Sequence, residues 1–222
     1  VFPVTKKRQD RVFKILIIRI DRIGDFVLSL PVIDNLRLQY PKAHIDIVVR
    51  PEIKELADLI NTINKVMTCE NIISTILNIR KERYDIAIDM VCDYRLDSAF
   101  LAFLSAAPLR VGFKGGFREL LFSHCVNPER FPKSDMAQLN LELLKLLDIP
   151  QVITLPEIKL KAREESGDML IALHPGGYYE SQRWHKENFV LLAKKILNKY
   201  KAKVVVIGGG ADAKLLDYII SH

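Results

Sequence analysis

The chain has 222 residues, 49% of them hydrophobic, which is enough to bury a sizeable core and is long for one α/β domain but short for two complete ones. No apolar run approaches the roughly 20 residues of a spanning helix, and the amino end carries charges where a signal peptide would want an apolar core, so a soluble cytosolic protein is expected. Of the formal net charge of +6, Val1 to Arg22 holds +5, from seven basic against two acidic residues; that concentration disfavours a broad nucleic-acid footprint and suits either a solvated tail or a basic arm near an anionic membrane surface or acceptor.

Taken in chain order, Ile15 to Ile18 is a continuous apolar run, the pattern of a central parallel strand covered on both faces. A charged loop, Ile20 to Gly24, follows, and Phe26, Val27, Leu30, Ile33 and Leu36 then recur at helical spacing. His44 to Val49 reads as a second strand, Pro51 to Ile60 as a helix with proline in its first turn, Lys65 to Thr68 as a short third strand and Ile72 to Glu82 as an amphipathic helix. Tyr84 to Asp89 is another buried strand whose end carries Asp89 and Asp93, read as a solvated strand end or as acids facing a polyhydroxylated ligand. Arg95 to Leu104 is a helix and Leu109 to Gly112 a strand. The alternation predicts a parallel sheet with right-handed crossovers.

Lys114 to Lys133, with Gly115-Gly116 and the basic Lys114, Arg118, Arg130 and Lys133, reads as an excursion over the crevice mouth. Met136 to Leu147 is a helix. Residues 151–168, with Pro156 and a polar charged run, have the composition of an interdomain connection. A second α/β unit follows: strand Met169 to Leu173, helix Lys186 to Tyr200, strand Lys203 to Ile207, a turn at Gly208 to Gly210 and a helix from Ala211 to Ile220. The expected organisation is an amino-terminal domain over 1–150, a connection over 151–168 and the first part of a carboxyl-terminal domain over 169–222. Cys69, Cys92 and Cys125 have neither metal-ligand nor redox spacing and read as small core residues, with no disulfide and no zinc.

Two stretches carry chemistry. Asp25 lies at the rim of the first strand's carboxyl end, where open α/β sheets bind ligands; there it either charges the first helical turn or removes a proton from a substrate hydroxyl. His174-Pro175-Gly176-Gly177 and Gln182-Arg183-Trp184 lie between a strand and a helix, where glycine amides, a helix start and a guanidinium make an anion site. The alternative is a plain glycine turn with Trp184 as a core anchor. His174 is read as structural.

The run R-I-D-R-I-G-D-F-V-L-S-L-P, followed by V-I-D-N-L-R-L-Q-Y-P, resembles the opening signature of the family nine glycosyltransferases, the heptosyltransferases of lipopolysaccharide core assembly. L-A-F-L-S-A-A-P-L-R-V-G-F is similar to the family's helix and strand leading to a Gly-Phe pair, although Asp135, Met136 and Gln138 stand where the family commonly has a histidine and acidic residues. H-P-G-G-Y-Y-E-S-Q-R-W resembles the donor diphosphate loop, with Gln182 in place of the usual lysine. Gly208 to Gly210 with Asp212 resembles a Gly-Gly-x-x-Glu element whose acid contacts the nucleoside ribose. The family's later Asp-Ser/Thr-Gly-x-x-His segment has no counterpart in this sequence.

The resemblance implies GT-B architecture, two Rossmann-like parallel-sheet domains, the second incomplete here. It implies Asp25 as catalytic base, Arg22 and Gly24 in the acceptor-side loop, Gly176, Gly177, Gln182 and Arg183 at the donor diphosphate, and Asp212 at the nucleoside. The expected activity is inverting, metal-independent transfer of a heptose or similar sugar from an ADP-sugar to a lipid-linked saccharide of the lipopolysaccharide core, with no cofactor. That fits a cytoplasmic enzyme with peripheral contact at the inner face of the membrane and no nucleic-acid partner. Two rivals are a non-catalytic two-lobed sugar or nucleotide binder and an inactive fragment of the transferase.

Overall fold

The computed structural model describes residues 12–131, 135–159, 169–177 and 179–222. The chain divides into two compact units, Val1–Lys161 and Ala162–His222. In the first, β1 (Lys14–Arg19) is followed by α1 (Ile23–Val27), α2 (Leu30–Gln39), β2 (His44–Val49), α3 (Lys54–Asp58), β3 (Lys65–Thr68), α4 (Ile72–Glu82) and β4 (Ile86–Asp89). Then come α5 (Asp97–Leu104), β5 (Leu109–Phe113), β6 (His124–Val126) and α6 (Met136–Lys145). Local chemistry sets several starts. The Asn71 side chain accepts from the amides of Ile73 and Ser74 at the head of α4, and the Asp135 carboxylate accepts from the Gln138 amide at the head of α6.

The six strands are all parallel in the order β3-β2-β1-β4-β5-β6. Chain direction across the sheet reverses between β1 and β4, which makes their carboxyl ends the topological switch point of a doubly wound sheet. Both faces are covered, which explains why β1 is apolar without alternation. Ile15 and Ile17 pack with Phe26, Ile33, Leu36 and Leu143 on one face, while Leu16 and Ile18 pack with Ile79, Ala99 and Leu101 on the other. Each of these Ile, Leu and Phe side chains, fully removed from water, contributes about 1.5–3 kcal/mol.

Several expectations change. The helix drawn from the Phe26 to Leu36 periodicity is two helices, and α1 begins at Ile23, so Gly24 lies inside the helix rather than in the loop, while Asp25 lies in the first helical turn, one of its two expected placements. Pro31 accounts for the break, because it cannot donate to the carbonyl a turn earlier and stands at the start of α2. The excursion from Lys114 contains a sixth strand: β6 pairs with β5 through Val111–His124, Gly112–Cys125 and Phe113–Val126. The Phe122 ring lies against Gly112 so closely that a Cβ there would meet it at 2.5 Å. Lys133 lies outside the described residues. Residues 151–159 are part of the first unit, held by reciprocal bonds between the Asn35 amide side chain and the Val152 main chain and by a bridge between Ile60 and Ile158.

The three cysteines are free and half-buried, Cys92 packed against one core cluster and Cys69 and Cys125 against the other, and burial pushes each thiol up from its ordinary value. Lys6, Lys7, Arg8 and Arg11 of the basic arm lie outside the described residues. Two of its other charges are engaged in the fold: Lys14 donates to Glu82 at 2.6 Å, and Arg19 is fully buried. Among the described residues no helix is long and apolar enough to cross a membrane.

The second unit pairs β7 (Met169–Leu173) with β8 (Ala202–Val206) in parallel, with α7 (Lys186–Lys199) between them in sequence and α8 (Ala213–Ser221) after. Short 3₁₀ turns over Glu180–Gln182 and Gly210–Asp212 precede the two helices. Among the described residues of this unit, Leu173, Val190, Ile219 and Pro175 are buried.

Candidate functional site

Two clusters sit at strand carboxyl ends, one in each unit. In the first unit β1 delivers Arg19 and the following turn delivers Asp21, Arg22, Gly24 and Asp25. Arg22 occupies the cap position of α1 without a side-chain capping bond, and Asp25 lies in the first turn behind it. Among the described residues no hydrogen bond or ion pair engages the Asp25 carboxylate, and a Cβ added at Gly24 would meet nothing within 4 Å. The turn is therefore open above Gly24, which suits close approach of a ligand to the backbone.

Below this open rim lies a buried polar layer that reading the sequence did not assemble. Arg19 donates from Nε and Nη2 to the Asp25 main-chain carbonyl at 3.0 and 2.8 Å, and from Nη1 to the Met90 carbonyl. Its Nη1 also faces the Asp21 carboxylate at 3.2 Å. Burial pushes the Asp21 carboxyl up to about 6; Arg19 opposes that rise, and neighbouring Asp25 adds to it.

Asp89, which ends β4 beside Ile18, is neither a solvated strand end nor open to a ligand. It is fully buried, accepting from the Val91 amide, the Ser98 hydroxyl and Arg118 Nη2 at 2.8–2.9 Å. Arg118 in turn is fully buried and binds the Asp93 carbonyl, so it belongs to the fold and is not a basic group on a surface loop. Burial raises the Asp89 carboxyl, and Arg118 pulls the other way. The nearest sequence signal was an opposite charge at the end of each apolar strand run. Only the parallel register brings those ends together.

In the second unit Gly176 and Gly177 follow β7, and Gln182 ends the short turn before Arg183. Arg183 Nε donates to the Gly177 carbonyl at 2.8 Å, and its Nη2 lies 3.5 Å from Asp212. Asp212 accepts from the Gly209 amide at 3.2 Å, and its carboxylate lies where a Cβ at Gly176 would stand, 2.6 Å away. Thus Gly176, Gly177, Arg183 and Asp212, singled out in two separate motifs, form one cluster at the ends of β7 and β8. The absence of a side chain at Gly176 is what lets the carboxylate in. Trp184 is half exposed, edge-on to Phe189 at 5.2 Å between centroids, rather than a core anchor. His174 is exposed. Among the described residues no group of three or more His, Cys, Asp or Glu could hold a metal ion.

A parallel α/β unit with its ligand-facing groups at a switch point is a nucleotide-type fold, and solved glycosyltransferases share it. A family 9 glycosyltransferase of Veillonella parvula superposes with a TM-score of 0.80 at 18% identity, covering 95% of this chain and 66% of that one. The Escherichia coli ADP-heptose lipopolysaccharide heptosyltransferase II superposes at 0.80 and 22%, covering 94% and 68%. These likenesses identify the fold as α/β of the GT-B kind.

The profile of glycosyltransferase family 9 (heptosyltransferase) matches residues 72–220, and the chain belongs to that family. Lipopolysaccharide heptosyltransferase 2 of Salmonella typhimurium is 25% identical over 230 residues, an alignment that takes in 90% of this chain and 64% of that protein. The Escherichia coli protein of the same name is 23% identical with the same coverage. The chain therefore spans a little under two thirds of the length of these relatives.

Proposed function

We propose that the protein moves a heptose or similar sugar from an ADP-sugar to a hydroxyl of a lipopolysaccharide-core saccharide, inverting the anomeric centre and using no metal. The acceptor oxygen attacks the anomeric carbon as the bond to the diphosphate breaks. ADP leaves with that electron pair, and the hydroxyl proton passes to the Asp25 carboxylate. A single displacement needs one base and inverts the centre. The observation that carries this reading is the Asp25 carboxylate, without a hydrogen bond or ion pair among the described residues, in the first turn of α1 at the open rim of the switch point, in a chain of this family.

On the donor side, amides at Gly176 and Gly177 with Arg183 supply electrostatic stabilisation where the diphosphate gathers charge. Arg183 reaches that role by exchanging its partial hold on Asp212 for phosphate oxygens, which suit its planar fork. Asp212 then faces the nucleoside ribose. In this reading the first unit, with residues 151–159 held against it, is the acceptor side, and residues 169–222 are part of the donor side. The work takes place in the cytoplasm, at the inner face of the membrane where a lipid-linked acceptor is met and where the amino-terminal basic residues favour anionic lipid.

The test is the anomeric configuration of the product formed from ADP-heptose and a core saccharide by the full-length protein, followed by NMR with and without EDTA. Inversion unaffected by EDTA supports the reading; retention, or loss of turnover on chelation, overturns it.

A further inference from the structure

Resting on that reading of Asp25, we infer that Arg19 is a positioning residue for the base, a buried fork that fixes the turn carrying Asp25 to the ends of β1 and β4. The geometry is specific to the Asp25 peptide. Two of the three guanidinium nitrogens, Nε and Nη2, donate to the carbonyl of Asp25 itself, and the third, Nη1, reaches across the switch point to the Met90 carbonyl. Helix α1 is only five residues long, far below the length at which a helix holds itself together. At its end the Ser29 amide turns to the Phe26 carbonyl, leaving the Asp25 carbonyl to the guanidinium. The turn is thus fixed from below by a side chain rather than by continuing helix.

Burying a whole guanidinium is costly, and an apolar residue would fill the end of an apolar strand more cheaply. What an apolar residue cannot do is hold one carbonyl oxygen by two converging bonds. Lysine, a point charge on a flexible stem, cannot do so either. The Asp21 carboxylate at 3.2 Å supplies the counter-charge that keeps the fork ionised and in place. Catalytic groups must be held to within about 0.5 Å of their working position, and a misplacement of about 1 Å costs on the order of 100-fold in rate. Arg19 supplies that restraint without itself meeting substrate.

The test is Arg19→Lys, made alone and in an Asp25→Asn background of the full-length protein, with the donor ADP-heptose and a core saccharide acceptor. Expected for Arg19→Lys alone is a kcat lower by about 10- to 100-fold, with acceptor KM and ADP affinity within about twofold of the parent, because the binding groups remain. Amide exchange over residues 22–28 should quicken in the same variant while the overall melting midpoint holds. In the Asp25→Asn background, Arg19→Lys should change the residual rate no further. An unchanged kcat, or losses that simply add in the double variant, would overturn the role of Arg19 while leaving Asp25 as base. Full turnover of Asp25→Asn would overturn the reading of Asp25 and this role with it. Should Arg19→Lys fail to fold, Arg19→Gln, which keeps a planar donor without the charge, gives the same comparison.

Discussion

The two strand-end clusters are built on opposite principles. The one at β1 and β4 stands on fully buried charge: Arg19, Asp89 and Arg118 are sealed beneath it, and β1 is buried along almost its whole length. The one at β7 and β8 is made of glycine backbone and half-exposed side chains, on strands whose faces are largely open in this unit. The difference teaches that a group which must hold one atom in place is set on a buried polar layer. On the proposed reading, a site that grips a diffuse charge such as a diphosphate needs only amides and a half-exposed guanidinium. If so, equivalent substitutions in the two clusters should have very different effects.

The largest contrast is expected from arginine to methionine. Arg118→Met leaves the Asp89 carboxyl buried without its cation and should cost about 3–5 kcal/mol, read from urea unfolding. Arg183→Met removes a partly exposed contact and should shift stability by no more than about 1 kcal/mol. Equal losses would break the comparison. Next, Ile17→Ala in β1 should cost about 2–5 kcal/mol through the cavity it leaves. Leu170→Ala in β7, whose side chain is 40% exposed, should cost a small fraction of that.

On the donor side, Arg183→Ala should weaken ADP binding more than Gln182→Ala does. Charge-assisted bonds are worth about 1.5–3 kcal/mol against about half that for a neutral amide. Calorimetric titration checks this, and equal losses would mean that the diphosphate lies elsewhere.

The smallest effects are pH-dependent and of opposite sign at the two ends of β1. At the amino end Lys14 and Lys65 hold Glu82 down to about 2 from its ordinary 4.5, so its contribution is present above about 4.5 and lost as pH falls toward 2. Glu82→Gln should remove that acid limb. At the carboxyl end Asp21 is raised from 3.8 to about 6, so the folded state binds its proton more tightly than the unfolded chain does. Stability from this group is therefore greatest below about 4 and lost as pH rises to 6. Asp21→Asn should flatten that slope in thermal melts between pH 4 and 7.

Much of this was legible in sequence, for physical reasons. A strand buried on both faces is mainly apolar, so Ile15 to Ile18 is legible from composition alone, and His44 to Val49 from its apolar residues despite Asp46, which is buried with the Tyr84 hydroxyl donating to it at 2.6 Å. β6 was missed because His124-Cys125-Val126 is three residues long and sits in a stretch rich in glycine and proline. Asp25 and the glycine loops carry short local motifs. Arg118 and Asp89 do not: they are 29 residues apart, and only the order β1-β4-β5 brings them into contact. Arg19 lay within the recognised run, but nothing local said that its fork turns back onto the Asp25 carbonyl rather than out to solvent.

The central claim is that the Asp25 carboxylate takes the acceptor proton. Asp25→Asn keeps the size of the side chain and one acceptor oxygen, replaces the other oxygen with an amide donor, and removes the charge with which it would accept that proton. Sugar transfer from ADP-heptose by the full-length variant should fall by about 100-fold or more, with the melting midpoint and ADP affinity unchanged. Turnover equal to that of the parent protein would contradict the account.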